Sequence, residues 1–310
     1  MQRYILLRLV QLVITLFVVS LVVFFLVRLG GDPMTVMAPD TFSVEQREAL
    51  RRAWGFDKPL SEQYWTFLRK AVRGDFGNSV AYGVPAIHLV KERLLMTYLL
   101  AGSAALIAVV IALPLGVLSA VFRNSVIDLI ATGLAILGRA MPGFWVGLML
   151  IMLFSVKLRI LPAFGAEGPK SIIMPAVALG VGMAANLSRL TRSSMLDTLN
   201  QDYIRTARSK GLVEHWVVIR HALRNALIPV LTAFGLNLGW LLGGAVVIES
   251  VFSWPGLGRL MIDSISIRDI TIVQASLLFF ATSFVLINLV VDILYTVLDP
   301  RIRLSGGAAK

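Results

Sequence analysis

The chain has 310 residues, 57% of them hydrophobic and only 15% charged, and its mean hydropathy is +0.80. Soluble domains carry about a quarter charged residues, so this composition excludes an ordinary soluble protein and places the chain in a membrane. A formal charge of +11 invites a nucleic-acid reading, but the basic residues alternate with apolar segments and build no single basic face, which argues against nucleic acid as a partner. Cysteine is absent, so disulfides, thiolate nucleophiles and cysteine metal sites are excluded as well.

A helix that crosses a hydrocarbon core of roughly 30 Å needs about 20 apolar residues. Taken in chain order, Leu9–Val27 is the first such run; it follows Arg3 and Arg8, outlasts a signal-peptide core and precedes no small-residue cleavage pattern. Residues 1–29 therefore read as a retained anchor helix. Residues 30–93 are mixed in charge, and within them Val44–Trp54 and Leu60–Val72 have helical periodicity, the second through Leu60, Tyr64, Phe67 and Leu68. This segment reads as a small extracytoplasmic cap, packed on the helix ends or offered to an external partner. Five further spans make a core over 94–298: Leu94–Phe122, Leu129–Val156, Ser171–Ser188, Asn225–Ile248 and Ile270–Leu298. Residues 299–310 are left as a tail.

Arg139 interrupts the third span, where a central arginine costs roughly 2.5–3.5 kcal/mol. The surrounding aliphatic and aromatic residues each return about 0.3–0.6 kcal/mol, so the segment still inserts. Such a residue reads as a contact for a substrate carboxylate, or as an interhelical ion pair or a side chain reaching to the interface. Asn186, Asn237 and Asn288 are hydrogen-bonding groups for a pathway, with Arg139, Asn186 and Asn237 as the substrate-path candidates. Gly143 and Gly147, like Gly235, Gly239 and Gly243, recur at the interval that allows close helix packing. Pro114 and Pro175 are positioned to kink the second and fourth spans or to leave carbonyls free.

Between the fourth and fifth spans lies a basic connector, DYIRTARSKGLVEHWVVIRHALRNALIP, far longer than a turn. From Ser193 to Lys210 the residues Leu196, Leu199, Tyr203 and Ala207 fall on one helical face, and acidic residues precede basic ones as the helix dipole favours. Gly211 stands where a helix would end in a left-handed residue, and a second amphipathic run covers Val213–Leu227 before Pro229. The two helices either lie in the headgroup layer or dock on a protein, for which the small residues Ala207 and Gly211 offer close approach.

Orientation follows from the bias of Lys and Arg in short loops. Arg3, Arg8, Arg123, Arg189, Arg192, Arg205, Arg208, Lys210, Arg220, Arg224, Arg301, Arg303 and Lys310 share one side, against Lys157, Arg159, Lys170, Arg259 and Arg268 on the other. The N-terminus, the C-terminus and the connector 189–227 are therefore expected in the cytoplasm.

The order D-Y-I-R-T-A-R-S-K-G-L, H-A-L-R-N-A-L-I-P, V-F-S-W-P-G-L-G-R-L and L-D-P-R at Leu298–Arg301, with G-D-F-G-N-S at Gly74–Ser79, resembles the inner-membrane permease subunits of bacterial ABC importers. Within them it is most similar to the first permease of the dipeptide, oligopeptide and nickel branch. The resemblance implies an all-α fold of the type I importer permease with six transmembrane helices. It further implies a bacterial inner-membrane location and a coupling helix in the connector that seats on an ATPase. The residues this assigns to coupling are Asp202, Tyr203, Arg205, Ala207, Gly211, His221, Asn225 and Pro229. Arg205 occupies the place where the general importer signature has Glu.

The implied function is a path for a small peptide or related solute, formed with a second homologous permease, fed by an extracytoplasmic solute-binding protein and driven by two ABC ATPase subunits, in contact with membrane lipid. The sequence contains no G-x-x-x-x-G-K-[ST] loop, so ATP belongs to the partners and no cofactor is expected in this chain. His88, His215 and His221 form no metal-ligand spacing, and no catalytic set is paired, so no metal and no enzyme activity are expected. The alternative is a stand-alone ion-coupled secondary carrier, which calls for ionisable residues deep in several spans; only Arg139 lies well inside one, while Glu249 and Asp292 lie near ends.

Overall fold

The computed structural model describes residues 2–29, 42–53 and 55–298. The first part of the cap, Trp54, and the tail with the Asp299–Arg301 part of the L-D-P-R motif lie outside the described residues. In chain order the helices are α1 (Gln2–Leu29), α2 (Val44–Ala53), α3 (Leu60–Val72), α4 (Ala86–Val121), α5 (Val126–Ala140), α6 (Gly143–Lys157), α7 (Ile173–Leu199), α8 (Asp202–Ser209), α9 (Glu214–Val251), α10 (Leu257–Ser266) and α11 (Ile270–Leu298). Five are long and apolar enough to cross a membrane, or six if α5 and α6 form one broken span.

That break is the main departure from the expected spans. The third span is not one rod: α5 and α6 meet at an angle of 107°. Met141 precedes a proline, whose ring pushes it out of the helical region to φ −83°, ψ 129°, and Pro142 itself is extended at φ −62°, ψ 138°. Two consecutive extended residues turn the chain, and α6 restarts at Gly143. Pro175 makes no kink, because it falls in the first turn of α7, where a missing N–H costs nothing. Pro114 sits inside α4 without ending it. α7 continues past the expected Ser188 to Leu199, and α9 begins at Glu214, well before Asn225, running through a π-helical stretch at Val217–Leu223.

Packing divides the chain into two compact units. One comprises Thr97–Trp254 and α11 from Ile287. Its centre is α7, whose most apolar stretch is 61% buried, against 17% for α1; α7 is enclosed by its own chain, whereas α1 leaves most of its surface open. Small residues allow the enclosure. A Cβ at Gly116 would lie 2.5 Å from the Thr191 Cβ, and one at Gly180 would lie 2.6 Å from the Ala104 carbonyl oxygen. Gly143 and Gly147 behave as their spacing predicts, facing the Ala178 carbonyl and the Phe252 ring, whereas a Cβ at Gly243 would meet nothing.

The other unit comprises Gln2–Met96 and Pro255–Leu286. Here α3 lies on α1 through Tyr64, whose ring meets Phe24 edge-on at 5.3 Å and whose hydroxyl pairs with Ser20 Oγ at 2.9 Å. Ala86, Val90, Leu257, Ile272 and Ala275 form a fully enclosed apolar core. Asp269 caps α11 by accepting from Ile272 N at 3.2 Å, and its second oxygen accepts from Ser79 Oγ and Ala81 N. The G-D-F-G-N-S segment is thereby tied to the start of α11.

Candidate functional site

Within the first unit, a cavity of about 290 Å³ is lined by Arg139 from α5, by Leu179, Gly182, Met183 and Asn186 from α7, and by Asn237, Trp240, Leu241 and Gly244 from α9. The three residues singled out as a substrate path share it. Arg139 stands in the last turn of α5, where the helix dipole favours a cation. It makes no ion pair among the described residues, and Asn186 makes no hydrogen bond among them. The Asn237 amide donates to the Ala233 carbonyl at 2.6 Å, which leaves its side-chain oxygen unengaged. A cation and two amides facing one space beside an indole suit a carboxylate-bearing polar ligand with an apolar flank. Asn288 lies on α11 and does not line this cavity.

The connector folds differently from its reading as two short helices joined at a glycine. α7 ends at Leu199, with Asn200 as its C-cap, and α8 begins at Asp202, and this break shifts the helical phase. The buried face of α8 is Ile204 and Ala207, packed on Met195, Val217, Val218, Ala222 and Ala226; Tyr203 turns outward. Ala207 is therefore not a surface for a partner's approach: it lets α8 close on α9 of the same chain. Gly211 does end the helix in the left-handed region, at φ +75°, and a Cβ there would meet nothing in this chain, so within the chain it is the backbone angle that requires glycine. The second run is no separate helix; it is the start of α9, which continues through Pro229.

Polar contacts hold α8 in place. Arg208 reaches across Gly211 to Glu214 with two bonds, Nη2 to Oε1 at 2.7 Å and Nε to Oε2 at 3.1 Å, and this carboxylate raises the Arg208 pKa further. Asn225 donates from Nδ2 to Tyr203 Oη at 2.8 Å and to the His221 carbonyl at 3.3 Å. Asp202 lies in the first turn and Arg205 is exposed, 3.8 Å from it. Of the residues assigned to coupling, Asp202, Tyr203, Arg205, Gly211, Asn225 and Pro229 remain at the surface, His221 is half-buried, and Ala207 is interior.

Two polar pairings lie outside what the sequence indicated. Asp128 accepts from Arg192 Nε and Nη2, each at 2.8 Å, and from Ser119 Oγ and Asn124 N. Its local signal was present: Ser125 caps α5 and Asp128 follows three residues later, the pattern of a capping box. The second is Glu249, near the end of α9 yet wholly buried, accepting from Thr97 Oγ1 at 2.6 Å. Among the described residues, no group of three or more His, Asp or Glu is placed to hold a metal.

Residues 112–304 match the family described as the binding-protein-dependent transport system inner membrane component, and residues 1–87 match its N-terminal segment. The glutathione transport system permease protein GsiC of Escherichia coli strain K12 is 43% identical over 304 residues, covering 98% of this chain and 99% of that protein. GsiC of Shigella flexneri serotype 5b matches to the same extent. Among solved structures, an inward-facing MetNI methionine ABC transporter aligns with a TM-score of 0.58 at 21% identity, covering 68% of this chain and 96% of that one. An amino acid ABC transporter with histidines aligns with a TM-score of 0.51 at 19% identity, covering 69% and 94%. At those identities the likeness concerns the fold.

Proposed function

Because this chain belongs to the inner-membrane components of binding-protein-dependent transport systems, and so is a multi-pass permease subunit of an ABC importer and not a secondary carrier, we propose that it forms a solute path together with a second, homologous permease. Two ATPase subunits hydrolyse ATP beneath the pair, and the extracytoplasmic binding protein delivers the solute. Both termini and the Asp202–Ser209 helix face the cytoplasm, in keeping with the distribution of Lys and Arg.

The observation that carries the solute reading is the meeting of Arg139, Asn186 and Asn237 on one cavity. Arg139 takes a substrate carboxylate, and the two amides take peptide-like polar groups. The solute is a small peptide or a peptide-like acid, a class that includes the glutathione named for the relatives. The outward face of α8, with Tyr203 and Arg205, meets the ATPase, while Ile204 and Ala207 transmit its displacement into α9. ATP binding then moves α8 and α9 as one body, and the path changes the side to which it opens.

Reconstitution with the partner subunits tests this. Uptake of a labelled small peptide or glutathione is expected only with ATP inside the vesicles and with the binding protein present. Accumulation driven by an ion gradient, without ATPase subunits, would overturn it.

A further inference from the structure

Within the second unit lies a larger cavity, about 830 Å³, between α1, α3, the start of α4 and α11. Its walls on α1 are Val13, Leu16 and Phe17, and on α11 Leu278 and Phe279. These positions belong to the uncharged runs of their helices, which places the body of the cavity at hydrocarbon depth. Among the described residues, the charged ones that line it are Arg73, at the C-cap of α3, and Lys91, one turn after Ile87 on the same face of α4, and no carboxylate is among them. Both lie where the apolar runs give way to the cap, since the uncharged stretch of α4 begins at Leu94. Neither makes an ion pair or a side-chain hydrogen bond among the described residues.

An apolar cavity with two cations at its membrane-surface end has the polarity of one molecule type, an acyl chain carrying an anionic head. The volume lies toward the upper end of the roughly 300–1,000 Å³ typical of ligand-sized cavities. A solute peptide would find no carboxylate among the described lining residues for its own ammonium group, and side-chain partners for its amides only in the Ser20 and Thr282 hydroxyls and the two cations. A partner helix would leave the two cations uncompensated unless it brought acidic residues to that level. We propose that this cavity binds an anionic phospholipid from the leaflet on the cap side. Its acyl chain lies between α1 and α11, and its phosphate is held by Arg73 and Lys91. The lipid thereby wedges the anchor helix against the unit it belongs to, a role independent of the solute path.

Native mass spectrometry of the purified full chain with its partner subunits tests this, using phosphatidylglycerol and phosphatidylcholine of identical acyl chains. Phosphatidylglycerol is expected to be retained in preference. In the double variant Arg73→Gln with Lys91→Gln, its retention falls roughly thirtyfold, on the scale expected from losing two juxtamembrane cations. Lys91→Arg keeps the charge and keeps the lipid, which separates recognition from misfolding. Ala71→Trp fills the cavity and lowers retention of both lipids. Equal retention of the two lipids by the unsubstituted protein would overturn the proposal. So would unchanged phosphatidylglycerol retention in the double glutamine variant, displacement of the lipid by inorganic phosphate alone, or cross-linking of Ala71→Cys to a helix of another subunit.

Discussion

Arg192 grips Asp128 with both ends of its guanidinium, Nε to Oδ1 and Nη2 to Oδ2, each at 2.8 Å, and so ties the last third of α7 to the first turn of α5. The carboxylate is 8% exposed and the guanidinium 30%, so water competes only on the arginine side. Ser119 and Asn124 occupy the remaining lone pairs of Asp128 and bring the end of α4 into the same knot. Loss of Arg192 leaves the Asp128 carboxylate enclosed without its cation, whereas loss of Asp128 leaves a guanidinium that water still reaches in part. Asp128→Asn is expected to destabilise the protein by about 2–3 kcal/mol and Ser119→Ala by about 1 kcal/mol, measured by thermal unfolding in detergent. The charge reversal Asp128→Arg with Arg192→Asp recovers part of what Asp128→Arg alone loses.

Gly116 and Gly180 are where α4 and α7 touch, and added Cβ atoms there would meet Thr191 and the Ala104 carbonyl at 2.5 and 2.6 Å. Backbone on the far side of such a contact cannot step aside as a side chain can. Gly180→Ala is expected to cost about 1–3 kcal/mol through overpacking. Gly133→Ala, where an added Cβ meets nothing within 4 Å, is neutral or stabilising by up to about 1 kcal/mol. Midpoints of thermal unfolding for the two single variants check the contrast.

In the connector, Ala207 and Gly211 fail differently when enlarged. Ala207 is 7% exposed and packed among Ile204, Val217 and Ala222, so Ala207→Leu pushes α8 off α9. ATP-driven uptake is expected to fall steeply while the membrane-embedded part stays folded, as read by uptake beside thermal unfolding. Gly211→Val costs about 1–2 kcal/mol from the left-handed backbone, and Gly211→Asn costs less, because asparagine tolerates that region. Equal loss of complex assembly in both Gly211 variants would show that the glycine serves contact instead.

Arg139 carries the prediction about solute chemistry. Arg139→Gln is expected to raise the KM for a carboxylate-bearing peptide by about tenfold, with a smaller effect on kcat, since it removes binding made in the ground state. The same variant leaves KM for the C-terminally amidated peptide nearly unchanged. A KM rise of the same size for both peptides would count against a carboxylate contact.

Hydropathy and turn chemistry are local, and what they govern was legible before any coordinates. Transfer of each apolar residue from water to lipid sets where helices run, so five of the spans appear as single helices and the third as the bent pair α5 and α6, and Val44 and Leu60 start their helices where periodicity places them. Gly211 acts through its own backbone angle, whereas the bend before Gly143 falls inside what reads as one apolar span and is a feature of the structure alone. Lipid, however, is as apolar as a protein interior, so hydropathy cannot tell a face that meets acyl chains from one that meets another helix. The tertiary structure alone decided that Ile204 turns inward while Tyr203 turns out, that Asp128 meets Arg192 across 64 positions, and that Arg139, Asn186 and Asn237 border one space. Those pairings depend on the crossing of helices far apart in the chain, and crossing is settled by packing against small residues such as Gly116 and Gly180, which no single segment contains.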